Sequence, residues 1–333
     1  MKATQLLRGW TTILDGRTPF LSIELTKECP LSCPGCYAYG DQHLGGNVLL
    51  TQVSDYKGKE LVERFLQVVD QHRPLHISII GGEPLVRFRE LNEILPQLEV
   101  RDIPTQLVTS AVRPIPLEWA QLKTLLVVAS IDGLPVEHDA RRKPATYERI
   151  LKNIQGHRIA IHCTITRQMT GRPRYLYDFM DFWSERPETK KVWFSLFTPQ
   201  IGETSDEILP REARVRIVRE LIDMRAIYPK LSMTEGTIEA FLDPPAKPSD
   251  CIFARTTRSI TADLKTRVGP CQFGGNPDCS QCGCVASAGL HAVGHVKIAG
   301  AISLGSIYES SFKIGSMVAA MRGDQRTEEA QNA

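Results

Sequence analysis

The stretch "KECPLSCPGCYAYG" (27–40) sets Cys29, Cys33 and Cys36 at C-x3-C-x2-C spacing, directly behind the apolar run "FLSIELT" (20–26). Three close thiols suit neither a disulfide framework, which needs pairs, nor a structural zinc, which takes four protein ligands. They point to a metal centre with one position left open. A ligand-bearing loop behind an apolar run fits the end of a strand in a parallel sheet, where functional groups gather at the C-terminal ends of strands.

The chain around this stretch keeps the same rhythm. Runs rich in Val, Ile and Leu recur at 76–82, 105–111, 125–133, 159–166 and 191–199, giving six strand candidates with the first. Helix candidates lie between them at 56–71, 89–101, 117–123, 146–157 and 175–186, and another begins near 211. Repeated β–α units imply a parallel sheet with helices outside it, and six are too few for the eight of a closed barrel. The expected fold class is α/β: a partial (β/α)6 barrel with a small cysteine-rich C-terminal extension. The Pro-rich "DPPAKPSD" (243–250) marks the boundary, giving a core over 1–243, an extension over 244–320 and a disordered tail over 321–333.

Composition narrows the function classes. With 40 basic and 38 acidic residues the net charge is +2, which offers no field for nucleic acid. No apolar run reaches the roughly 18 residues of a transmembrane helix. The opening "MKATQLLRGWTTILDG" lacks the uninterrupted apolar stretch of a signal peptide, so a cytoplasmic location is expected. In a reducing compartment, nine cysteines are read as metal ligands or catalytic groups before disulfides.

The Cys29, Cys33 and Cys36 loop, with Tyr37 behind it, resembles that of the radical S-adenosylmethionine (SAM) superfamily. The resemblance implies a [4Fe-4S] cluster on three thiolates, whose fourth iron takes the amino and carboxyl groups of SAM. It extends to "GGEP", where Gly81, Gly82, Glu83 and Pro84 end the second strand. There the glycines allow close backbone approach, and Glu83 would meet the SAM ammonium. It also covers Thr109 and Ser110 on the third strand, Ser130 and Asp132 in "SIDG", and Thr164 and Thr166 in "HCTITR", as further SAM or substrate contacts. Arg141 and Arg142 read as a solvated basic pair at a helix start, and Cys163 as a core residue.

Five of the remaining six cysteines fall near the C-terminus. They resemble the SPASM and twitch extensions of that superfamily, in which cysteines flanking a hairpin join a C-x2-C pair around an auxiliary iron-sulfur cluster. Cys251, Cys271, Cys279 and Cys282 match as metal ligands. Cys284 is a fifth candidate, and a structural zinc remains the alternative. Over most of the chain, a short N-terminal helix, "GGEP", "SIDG" and "HCTIT" are similar to radical SAM proteins that adenosylate hopanoid lipids.

These resemblances imply reductive cleavage of SAM to methionine and a 5′-deoxyadenosyl radical that attacks a small-molecule, lipid or peptide substrate. A flavodoxin- or ferredoxin-type partner would supply the electron. The alternative is a non-catalytic iron-sulfur protein for electron transfer or sensing. "GGEP" favours catalysis, because an electron carrier needs no clamp for an amino group.

Overall fold

A computed structural model describes residues 3–45, 48–298 and 302–322. Helix α1 (Ala3–Leu14) leads into β1 (Phe20–Glu24), followed by α2 (Gly58–His72), β2 (His76–Ile80), α3 (Phe88–Val100) and β3 (Thr105–Thr109). A 3-10 turn (Leu117–Gln121) then precedes β4 (Leu125–Ser130), α4 (Pro135–Arg141), α5 (Tyr147–Asn153) and β5 (Ile159–Ile165). Helix α6 (Tyr175–Ser184), β6 (Thr189–Leu196), α7 (Arg211–Arg225) and α8 (Glu235–Glu239) complete the repeated units. The C-terminal part holds α9 (Ile252–Thr256), β7 (Thr257–Ile260), β8 (Arg267–Val268), α10 (Val285–His295), β9 (Lys297–Ile298), β10 (Ile302–Ser303) and α11 (Leu304–Met321).

Eight strands form one open sheet in the order β6-β5-β4-β3-β2-β1-β7-β8. All neighbours are parallel except β8, which runs antiparallel to β7. Side chains alternate between the two faces of a strand. Leu21, Ile23, Ile77, Ile79, Leu107 and Ile161 therefore share one face, and they pack in the main core with Phe65, Ile94 and Phe179 of the helices. The other face carries a polar row, since Ser22 pairs in register with Ser259 and Ser78, and Ser78 with Gln106. An apolar outer face and a polar inner face suit a barrel whose lumen receives a ligand.

The six expected core strands are all present, each within a few residues of its expected span. The expected helix at 117–123 is only a 3-10 turn, because Pro114 and Pro116 leave eight residues before the chain re-enters the sheet at Leu125. The strand pair expected between Cys251 and Cys271 is β7 and β8, and it extends the barrel's own sheet beside β1. Helices α10 and α11 went unread in the sequence. Apart from the buried Tyr308, their packing faces are built from Ser287, Ala288, Gly294, Ser311, Gly315 and Ala319, so no large apolar stripe announces them. Gly16 meets Gly315 at the crossing of α1 and α11, where a Cβ on either would strike backbone oxygen. Of the expected tail, Met321 still belongs to α11, and 323–333 lie outside the described residues.

Candidate active site

The loop behind β1 carries Cys29, Cys33 and Cys36, all unbridged and partly exposed. The Cys36 amide donates to Cys33 O at 3.3 Å, and Cys36 caps the short 3-10 turn Tyr37–Tyr39. Burial pushes the Cys29 thiol up to about 12, and the neighbouring Glu83, Cys36 and Cys33 add to the rise. Burial raises Cys33 too, opposed by the positive charges of Arg142 and Arg141. Thiols that raise one another in this way share a small space, and a metal centre would displace their protons on binding. Among the described residues, no three His, Cys, Asp or Glu side chains gather closely enough for a single metal ion.

"GGEP" is packed onto this loop. A Cβ at Gly81 would strike the Glu24 side chain and one at Gly82 would strike Glu28 O, while the Glu83 amide donates to Glu28 O at 2.8 Å. Both glycines hold positive φ, at +83° and +40°. Their immediate purpose is to lay the end of β2 on the cysteine loop. Pro84 opens the buried turn that follows.

The Glu83 carboxylate is 1% exposed and accepts four hydrogen bonds. Oε1 accepts from Leu85 N–H at 2.9 Å and Thr109 Oγ1 at 2.5 Å, and Oε2 accepts from Ser110 N–H at 2.7 Å and from Ser110 Oγ. Every one of these partners is neutral. A buried carboxylate without a cation is costly, and this one lies close enough to Cys29 to disfavour its thiolate. Thr109 and Ser110, expected as SAM contacts, donate to Glu83.

Asp132 is 1% exposed and also engaged. It takes Arg142 Nε at 2.5 Å, Arg141 Nη1 and the Thr164 amide at 3.1 Å. Arg141 continues to Glu207 through Nε at 2.6 Å and Nη2 at 2.9 Å. The two guanidiniums hold the Asp132 carboxyl below its usual range against burial. The expected solvated pair at a helix start is thus corrected: Arg141 and Arg142 close α4, largely buried, and face Cys33. The reason is Asp132, whose charge sits nine and ten residues upstream and draws both side chains inward. Ser130 ends β4 in register with His162 on β5, and Thr166 is buried at the start of the next turn. Cys163 is fully buried in the core.

Several residues escaped the sequence reading. Glu24, 2% exposed at the end of β1, binds His43 Nε2 at 2.7 Å and Thr261 Oγ1 at 2.5 Å, while His43 Nδ1 donates to Phe273 O at 3.0 Å. Tyr37 sets its ring edge-on to Phe273 at 5.3 Å. A charged residue inside "FLSIELT" was the available signal, because a glutamate in a buried strand demands a partner.

The C-terminal cysteines converge. One small cavity is lined by Cys251, Cys271, Cys279, Cys282 and Cys284. Burial raises Cys271 to about 12 and Cys279 to about 11, and each also feels Cys282 and Cys251. Cys284 is raised by burial and by the same neighbours. Buried Arg214 of α7 caps Gln281 O and Cys282 O, both at 2.8 Å. The segment also bonds to the end of β6 and the chain behind it, through Leu196 N–H to Gly283 O and Asp278 N–H to Pro199 O. It therefore stretches from the loop after β1 to the loop after β6, across the open mouth of the sheet.

Residues 23–175, just under half of the chain, match the model of the radical SAM superfamily. A curated relative, the 7-carboxy-7-deazaguanine synthase of Hyperthermus butylicus, is 30% identical over 112 residues, which cover 32% of this chain and 42% of that protein. Among solved structures, native anSMEcpe with bound AdoMet superposes with a TM-score of 0.56 at 17% identity, over 91% of this chain and 97% of that one. Streptococcus suis SuiB bound to the precursor peptide SuiA gives 0.58 at 17% identity, over 81% of this chain and 63% of that one. The chain thus spans less than two thirds of that curated relative and of SuiB, and the solved structures establish the shared fold.

Proposed function

We propose that this protein is a radical SAM enzyme acting on a peptide or small-molecule substrate in the cytoplasm, with an auxiliary iron-sulfur cluster in its C-terminal segment. The observation that carries the reading is the Glu83 carboxylate: buried, fixed by four neutral donors, and set beside the cysteine loop without a cation. The ammonium of SAM supplies the missing charge, and the three partly exposed thiols suit a cluster with one iron left for SAM.

A [4Fe-4S] cluster on Cys29, Cys33 and Cys36, with SAM bound, would supply reductive cleavage of the sulfonium bond. The chain's own residues then do the positioning. Glu83 holds the amino end of SAM, with Thr109 and Ser110 fixing the carboxylate's orientation. Asp132 and Glu207 hold Arg141 and Arg142 beside Cys33, where their charge favours bound anions. Tyr37 braces the loop against Phe273. Ser130 and Thr164, at the inner rim of β4 and β5, face the substrate. A flavodoxin- or ferredoxin-type protein delivers the electron. A lipid substrate, suggested by the hopanoid-type motifs, belongs to the same reading of the lumen.

Four of the five cysteines lining the C-terminal cavity would ligate the auxiliary cluster, with Cys251, Cys271, Cys279 and Cys282 as the set and Cys284 as the reserve. Iron and sulfide quantitation after anaerobic reconstitution tests this, with about eight of each expected per chain. Replacing Cys251 and Cys271 by serine should remove about four. About four of each in the unaltered protein, together with one tightly held zinc, would make the segment a structural zinc site.

A further inference from the structure

The C-terminal cavity holds a polar side chain that the cysteine ligand set does not explain. Ser287 lies in the first turn of α10, is 4% exposed and lines that cavity. A buried hydroxyl needs a partner, and in a helix the carbonyl four residues back commonly supplies it. Ser310 and Ser311 of α11 follow that habit, bonding Ser306 O at 3.1 Å and Ile307 O at 2.8 Å. The Ser287 hydroxyl does not. Its Oγ lies 3.2 Å from Cys251 Sγ, and it also serves Cys282. Among the described residues this hydroxyl bonds to sulfur alone.

Cys251 is reached from a second side as well, by the Ala254 amide of α9 at 3.5 Å. Buried Arg214 adds a positive charge beside Cys282. A free thiol and a hydroxyl can each be donor or acceptor. A thiolate on a metal centre has no proton to give, so the Ser287 O–H must donate once Cys251 is a ligand. Hydrogen bonds to the sulfurs are one of the levers by which a protein sets the potential of an iron-sulfur centre. A donor favours the form that carries more negative charge. That form is the reduced one, so the potential rises.

We propose that Ser287 sets the reduction potential of the C-terminal centre, its hydroxyl donating to the Cys251 sulfur and making the centre easier to reduce. This role presupposes the auxiliary iron-sulfur cluster of the preceding reading. Ser287 is a positioning residue in it and binds no iron. Packing alone would be served as well by alanine, since the other buried residues of α10 are Ala288 and Gly294.

Redox titration of the full-length, anaerobically reconstituted protein, followed by electron paramagnetic resonance, reads the potential of each centre. Ser287→Ala should keep its iron, about eight per chain. At a given potential its C-terminal centre should be about tenfold more oxidised, a fall of about 59 mV for one electron. The centre at Cys29, Cys33 and Cys36 should titrate as in the unaltered protein. Ser280→Ala supplies the control, because Ser280 lies between Cys279 and Cys282 while its exposed hydroxyl bonds Asp278 at 2.6 Å; no shift is expected there. A shift of less than about threefold in Ser287→Ala, an equal shift in Ser280→Ala, or loss of about four irons from Ser287→Ala overturns the role. About four irons with one zinc in the unaltered protein overturns the auxiliary cluster and this role together. An unshifted potential in a protein that holds about eight irons overturns the role of Ser287 alone, so the two failures are told apart.

Discussion

Glu83 shows what one side chain settles here. Two neutral donors reach each of its oxygens, so an amide in its place would turn an NH2 group toward N–H and O–H groups. We expect Glu83→Gln to cost about 1–3 kcal/mol of stability and to weaken SAM binding about tenfold or more, as a charge-assisted bond of roughly 1.5–3 kcal/mol is lost. Equilibrium SAM binding and urea unfolding read the two effects, and unchanged SAM affinity would reassign "GGEP" to a structural turn. The motif was legible because Gly, Gly and Pro punctuate a strand end. The use of Thr109 and Ser110 was not, since a hydroxyl's partner depends on how β2 and β3 lie side by side. Arg141 and Arg142 were misjudged for the same reason: an adjacent basic pair looks solvated until the fold places Asp132 and Glu207 against it.

Helix α4 carries a pH dependence of its own. His138 is fully buried, accepts from the Asp132 amide through Nδ1 at 3.1 Å and donates from Nε2 to Ala145 O at 2.7 Å. Burial first, and the charge of Arg142 next, pull its pKa down to about 4 from the ordinary 6.5. The folded chain keeps this ring neutral while the unfolded chain takes up a proton below pH 6.5. Stability is therefore full above that pH and falls as pH drops toward 4, by up to about 1.4 kcal/mol per pH unit for this imidazole. The lowered Asp132 acts in the same direction at lower pH, adding stability that is lost only on further acidification. Urea unfolding between pH 7.5 and 4.5 should show a shallower slope in His138→Gln than in the unaltered protein, and an equal slope would contradict the assignment. The strands were read from their apolar runs, and α4 was passed over because a seven-residue helix with His138 as its buried contact has no stripe to find. Helices α10 and α11 were hidden in another way, since small residues that let helices pack closely carry little hydrophobic signal.

The whole molecule is organised by the C-terminal segment, which joins the two cysteine groups and spans the open mouth of the sheet. Gly274 is its tightest contact: φ is +65°, and a Cβ would strike the carbonyl of His43, in the loop that carries Cys36. Gly274→Ala should therefore disturb both ends, lowering the thermal midpoint by about 1–2 °C for each kcal/mol lost in a chain of 333 residues, and lowering iron retention by both cysteine groups. Iron lost from the C-terminal cysteines alone would mean that the segment is independent of the loop. The cysteine spacings announced both groups in the sequence, but the Glu24, His43 and Phe273 link between them did not appear, because its members lie about 230 residues apart in the chain. The central claim is that Cys29, Cys33 and Cys36 hold the centre at which SAM is cleaved. The most direct measurement is 5′-deoxyadenosine formation from SAM by the reduced, anaerobically reconstituted protein and by its Cys29→Ala, Cys33→Ala, Cys36→Ala triple variant. The account predicts product from the unaltered protein and none above background from the variant, which should keep about four irons in the C-terminal segment. Product from the triple variant, or none from an unaltered protein shown to carry its iron, would contradict it.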